Sequence, residues 1–208
     1  MHSQKPTSGS PLKIALLCGG PSRERGISMN SARSVCDHLH SDSIDITPVY
    51  FDHNKNAYKV SRAQLYSNTP SDFDFKLRAF SKPFTEKELG KFLQNEVDLA
   101  FPVIHGRFGE DGEIQEFLEK LNVPFVGSSA TSCQNCFNKY DSNQTIAKNG
   151  FFTLPTIKLI KGKNNHKEKM DEFFKTEKLD RAIVKPARGG SSIGVFSVTS
   201  PQEALKRV

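Results

Sequence analysis

The stretch "IVKPARGGSSIGVF", residues 183–196, sets Lys185 ahead of Gly189, Gly190, Ser191 and Ser192, between two apolar runs. Glycines that let peptide N–H groups approach a ligand closely, next to a mobile ammonium, suit the oxygens of a phosphate. The order excludes a Walker loop, which places its lysine after the glycines and at the mouth of a helix. Here β-branched and apolar residues (Ile193, Val195, Val198) follow the turn, so the expected order is strand, turn of four residues, strand.

Two further charged turns stand upstream. "GGPSRERGIS" (19–28) contains Glu24 between Arg23 and Arg25, and "HGRFGEDGEIQ" (105–115) opens on His105 and continues to Glu110 and Asp111. Taken singly, each has an ordinary reading. Glu24 could be half of a surface Arg–Glu pair contributing at most about 1 kcal/mol. Glu110 and Asp111 could complement a helix dipole, and His105 could be a satisfied core histidine. Cys133-Gln-Asn-Cys136 lacks the second pair that a zinc site needs, and reads as two small packing residues on a helix.

The elements that must hold these turns follow from periodicity. "KIALLCGG" (13–20) is a buried strand ended by glycines. Ser28 is expected to cap a helix bearing Ala32, Val35, Cys36 and Leu39 on one face. "IDITPVYFD" (44–52) and "VDLAFPVIH" (97–105) are the second and third strands, and "VPFVGS" (123–128) the fourth. Thr85 and Glu88 form a capping box for a helix reaching about Asn95. Ile114, Phe117, Leu118 and Leu121 mark another helix face. Residues 53–84 are polar and irregular, and their pattern assigns no element. This alternation predicts an α/β fold: a doubly wound parallel sheet with ligands at the carboxyl ends of its strands.

Beyond it the rhythm changes. A polar helix over about 131–149 stops at Gly150. "FFTLPTIKLI" and "DRAIVKPA" are strands flanking a helix, and "SIGVFSVT" makes an antiparallel return. Ser200, Pro201 and Glu203 then start a helix that the chain leaves after barely two turns. The pattern predicts a disordered leader at 1–12, an N-terminal α/β domain at 13–130, and an incomplete α+β domain at 131–208, cut inside its fold.

Composition narrows the classes. No run approaches the roughly 18 apolar residues of a membrane span, and the polar start lacks a signal peptide's apolar core. Four cysteines in 208 residues suggest no disulfide framework, which fits a reducing cytoplasm. The net charge of +6 is scattered, without the aromatic-rich basic stripe of a nucleic-acid binder. It suits a holder of polyphosphate.

"GGPSRERGIS", "HGRFGEDGEIQ", "FVGSS" with Lys139 downstream, and "VKPARGGSSIGV" resemble, in order and approximate spacing, the signatures of D-alanine–D-alanine ligases of the ATP-grasp superfamily. The resemblance runs from Lys13 to Val208. It implies an N-terminal domain followed by the first part of an ATP-grasp domain. It also implies a reaction for peptidoglycan synthesis in which ATP phosphorylates one D-alanine and the amine of a second attacks the acylphosphate. In that family's terms Glu24 matches the acid holding the first ammonium, and His105 lines the same pocket. Lys139 and Lys185 match the lysines on ATP phosphates, with Gly189, Gly190, Ser191 and Ser192 as the covering loop. Ser191 also matches a serine that bonds across to the Glu24 position. Magnesium ligands are expected beyond Val208, so the 208 residues alone should not catalyse, and a homodimer is implied for the complete protein.

Phe137-Asn138 stands where the family usually has Met-Asp, and Gly26 replaces a larger residue. Two other readings remain: a paralogous ATP-grasp ligase with another amine acceptor, or a non-catalytic ligand-binding fragment. A Rossmann oxidoreductase is disfavoured because the first turn lacks Gly-x-Gly-x-x-Gly.

Overall fold

The structure is a computed structural model that describes residues 9–39, 41–190 and 192–208. It divides into two compact units, Met1–Gln134 and Asn135–Val208. Most of the expected leader lies outside the described residues, but its last residue, Leu12, already opens the first strand.

In the first unit β1 (Leu12–Gly19) leads into α1 (Arg25–His38), then β2 (Ile44–Phe51) and β3 (Ala57–Lys59). Three helices follow: α2 (Arg62–Ser67), α3 (Pro70–Phe80) and α4 (Glu86–Asn95). After them come β4 (Leu99–Pro102), α5 (Glu113–Lys120) and α6 (Ala130–Phe137), whose last three residues belong to the second unit. The sheet order is β3-β2-β1-β4, with β1 parallel to both β2 and β4 and β3 antiparallel at the edge.

β1 is apolar without alternation because both of its faces are covered. Ala15 and Leu17 pack with Leu89, Leu93, Ile114 and Leu118 of α4 and α5. Leu16 and Cys18 face Met29, Ala32 and Cys36 of α1, with Leu65, Phe73 and Leu77 of α2 and α3 on the same side. Burial pushes the Cys18 thiol up to about 12, so it behaves as a small hydrophobe rather than a nucleophile. The sheet is thus wound on both sides, as the alternation of elements predicts.

Three expectations for this unit are corrected. Ser28 does not cap α1; it sits inside the helix, fully buried, accepting from the Gly19 N–H at 2.8 Å and donating to the Val103 carbonyl at 2.7 Å. Its hydroxyl is drawn to the ends of β1 and β4, a demand from distant sequence. "VPFVGS" forms one parallel bridge, Ala100 to Phe125, instead of a strand. Residues 53–84 are ordered by β3 and by two helices. Each helix begins at a capping box, Ser61 with Gln64 and Thr69 with Asp72.

Ser28→Ala would leave the Gly19 N–H and the Val103 carbonyl without that partner in a buried setting. A loss of about 1–3 kcal/mol is expected, read as a lower urea midpoint at unchanged slope. An unchanged midpoint would mean that the hydroxyl is not what joins the two strand ends.

The second unit holds α7 (Lys139–Lys148), α8 (His166–Thr176), an antiparallel pair β5 (Ala182–Val184) and β6 (Phe196–Val198), and α9 (Pro201–Leu205). Met170, Phe174, Val198 and Ala204 form its core. The single polar helix expected over 131–149 is two helices. Asn138 interrupts it, accepting from the N–H groups of Tyr140 at 3.1 Å and Asp141 at 3.4 Å to start α7. "FFTLPTIKLI" forms no strand among the described residues; Phe151, Phe152 and Leu154 are exposed and no ladder partner lies beside them.

Candidate functional site

In the first unit the site grows from the carboxyl ends of neighbouring parallel strands. Gly19 leaves β1 with φ +88°, and a Cβ there would lie 2.3 Å from the Phe51 carbonyl oxygen, so only glycine permits this turn. The turn carries Ser22 and Glu24. Glu24 occupies the N-cap position of α1 and is 8% exposed. Its N–H donates to Ser22 Oγ at 3.1 Å, and the Ser22 hydroxyl donates to Glu24 Oε2 at 3.3 Å. A carboxylate near a helix N-terminus sits in favourable potential.

The turn after β4 meets this one. A Cβ built on Gly106 would fall 2.4 Å from Glu24 Oε2 and 2.5 Å from Ser22 Oγ, and φ there is +70°. His105 is therefore brought beside the Glu24 turn. Its Nε2 is 3.0 Å from Ser31 Oγ on α1, and its Nδ1 is 3.7 Å from Glu110 Oε1. Gln115 holds the same turn from α5, its Nε2 donating to the Gly109 carbonyl at 2.7 Å.

The surface-pair reading of Glu24 does not stand. Glu24 is buried, and Arg25 pairs with Asp74 of α3 at 2.5 Å. Tyr50 donates to the other Asp74 oxygen at 3.3 Å. Burial foremost, and then the Asp74 charge, raises the Tyr50 hydroxyl above its ordinary range and keeps it a donor. The helix α3, within 53–84, thus helps fix the start of α1.

Gly106→Ala would drive a methyl into the Glu24 carboxylate at a backbone angle side chains rarely adopt. A destabilisation of about 1–3 kcal/mol is expected, measurable by urea unfolding. A variant as stable as wild type would contradict the close packing of the two turns.

In the second unit Lys139 is the first residue of α7. Its N–H donates to the Ala187 carbonyl at 2.9 Å and its Nζ donates to the Gly189 carbonyl. Lys185 lies just past β5. Both lysines line one pocket of about 460 Å³, with Ile157, Val184 and Phe196 among its apolar walls. The link between β5 and β6 is longer than the four-residue turn expected, running from Lys185 to Val195. Strand pairing stops early because the loop makes its own turns: Ile193 N–H to the Gly190 carbonyl at 3.2 Å and Val195 N–H to the Ser192 carbonyl at 3.3 Å. Gly189 has φ +126° and Ser192 φ +56°. Ser191 lies outside the described residues. Two ammonium groups beside such a loop, with Lys158, Lys161 and Arg207 on the same lining, can take a polyanion.

Cys133 is half-buried on α6 and Cys136 is exposed, so the second is not a packing residue. Among the described residues no three His, Cys, Asp or Glu side chains gather to hold a metal, and no helix is long and apolar enough to cross a membrane.

Sequence reasoning missed Ser22, Ser31 and Asp74 and gave Glu110 only a dipole role. A signal for Ser31 was present, since it lies at i+7 from Glu24, on the same side of α1 two turns on.

Comparison with known proteins defines the class first. Solved structures of this shape include the D-alanine-D-alanine ligase of Coxiella burnetii, with TM-score 0.81 and 25% identity over 94% of this chain and 59% of that one. The VanG D-Ala:D-Ser ligase of Enterococcus faecalis gives TM-score 0.71 and 25% identity over 95% and 58%. The fold is therefore that of ATP-grasp ligases, a parallel-sheet α/β unit followed by α+β elements.

The family described as "D-ala D-ala ligase N-terminus" matches residues 13–128, and the chain belongs to it. Relatives named D-alanine--D-alanine ligase include that of Prosthecochloris aestuarii, 30% identical over 92% of this chain and 56% of its own length. Another, from Corynebacterium diphtheriae, is 32% identical over 98% and 57%. The chain spans about half the length of the curated relatives it matches.

Proposed function

We propose that this chain supplies the amino-acid pocket and part of the ATP site of a D-alanine–D-alanine ligase serving peptidoglycan synthesis. The observation that carries the reading is the junction of the two turns: Glu24, buried, abuts Gly106 and lies beside His105. A buried carboxylate at the carboxyl ends of parallel strands is where an α/β unit binds small ligands, and its charge selects an ammonium. Membership of the family supports the same assignment.

Each residue then has a task. Glu24 holds the ammonium of the first D-alanine, with its turn kept in shape by Ser22. His105 forms a wall of that pocket. Lys139 and Lys185 neutralise ATP phosphates, and Gly189, Gly190 and Ser192 close a loop over them through peptide N–H groups. Ser191 is assigned to the same loop. The carboxylate of the first D-alanine attacks the γ-phosphorus and ADP leaves. The amine of the second attacks the acyl carbon and expels phosphate, losing a proton as the peptide bond forms. Charge neutralisation and positioning are what this chain contributes.

Magnesium would assist phosphoryl transfer in such a reaction. Its ligands are assigned to the part of the relatives' length that this chain does not cover. The complete protein is proposed to be a cytoplasmic homodimer, and the 208 residues by themselves to be inactive. ADP release by the longer protein, with D-alanine, D-serine and D-lactate offered in turn, tests the assignment. Release that needs D-alanine supports it, and release indifferent to any D-amino acid contradicts it.

A further inference from the structure

His105 faces one polar side chain at each ring nitrogen, and neither has been given a task in the pocket. Ser31 Oγ lies 3.0 Å from Nε2, in partly buried surroundings, and Glu110 Oε1 lies 3.7 Å from Nδ1. An ionised carboxylate only accepts, so the nitrogen facing Glu110 is the one that carries the proton in the neutral ring. That leaves Nε2 with its lone pair, which accepts from the Ser31 hydroxyl. The three groups come from three places: α1, the end of β4, and the turn before α5.

We infer that Ser31 and Glu110 are positioning residues that fix His105 as its Nδ1–H tautomer with Nε2 engaged by Ser31. This rests on the reading of Glu24 and His105 as the amino-acid pocket. With Nδ1 protonated and the Nε2 lone pair taken by Ser31, the ring has no free lone pair, so His105 shapes the pocket and does not move a proton there. Ser31 contributes more than Glu110, whose side chain is 48% exposed and therefore screened.

The test has two parts. Long-range ¹⁵N–¹H correlation of the His105 ring is recorded in the 208-residue chain at pH 8, where an ordinary imidazole is neutral. The expected spectrum shows a protonated Nδ1 and an unprotonated Nε2. Ser31→Ala should move both signals toward tautomer averaging, and Ser31→Thr should restore them. A protonated Nε2 in the wild type, or signals indifferent to Ser31→Ala in a chain whose amide spectrum is otherwise intact, overturns the inference.

In the longer protein, Ser31→Ala should raise KM for the first D-alanine by about three- to ten-fold, the value of one hydrogen bond. The kcat should stay within about twofold, and Ser31→Thr should recover most of the loss. An unmoved KM overturns the positioning role. Absence of any D-alanine-dependent turnover in the wild type overturns the pocket reading, and with it that role, while the tautomer stands or falls on the spectrum alone.

Discussion

Lys185→Ala in the longer protein is expected to weaken ATP binding by about ten- to a hundred-fold and to slow the reaction as well. An ammonium on phosphate oxygens makes charge-assisted bonds of roughly 1.5–3 kcal/mol each, and ground state and transition state both use them. Lys185 projects from the end of β5, a fixed base, into the pocket that Lys139 also lines. The loop behaves differently. Ser192→Ala should be mild, because the assigned contact is a peptide N–H that alanine keeps. Gly190→Pro should be severe: proline removes an N–H and demands an extended preceding residue, whereas Gly189 has φ +126°. Isothermal titration of ATP into the three variants ranks them. Ser192→Ala as damaging as Lys185→Ala, with Gly190→Pro tolerated, would mean that the loop works through side chains.

Glu24→Gln is expected to lower kcat/KM for D-alanine by about ten- to a hundred-fold while leaving ATP affinity in place. Glutamine keeps the shape that packs against Ser22 and Gly106 and deletes only the charge, worth roughly 1.5–3 kcal/mol against an ammonium. Steady-state kinetics in D-alanine and titration in ATP read the two effects separately. An unchanged dependence on D-alanine would remove Glu24 from the pocket.

Much of this arrangement was legible in the residues, and the exceptions share a cause. β1 shows itself because burial on both faces demands an unbroken apolar run. α4 shows itself because the Thr85 and Glu88 cap is local, its bonds at 2.8 and 3.2 Å spanning three residues. α2 stayed hidden although Ser61 announces it, since it buries only Leu65 and so carries no periodicity, whereas α3 shows both a cap at Thr69 and the i, i+4 pair Phe73 and Leu77. Ser28 misleads because its hydroxyl answers to Val103, 75 residues away.

The site divides the same way. Glu24, His105, Lys139 and Lys185 were marked by charge within glycine-rich turns. Asp74 and Ser31 were not, because each matters only through a partner that the fold brings up from far along the chain: Arg25 for the first and His105 for the second.

An amino-acid carboxylate that is phosphorylated before an amine attacks it, as proposed for this family member, gives up one oxygen to the phosphate. D-alanine labelled with ¹⁸O in its carboxylate, turned over by the longer protein with ATP, should deliver one labelled oxygen to the released phosphate for each dipeptide formed. Mass spectrometry of the phosphate reads this directly. Phosphate without label, or ATP consumed while all label stays on D-alanine, would contradict the account.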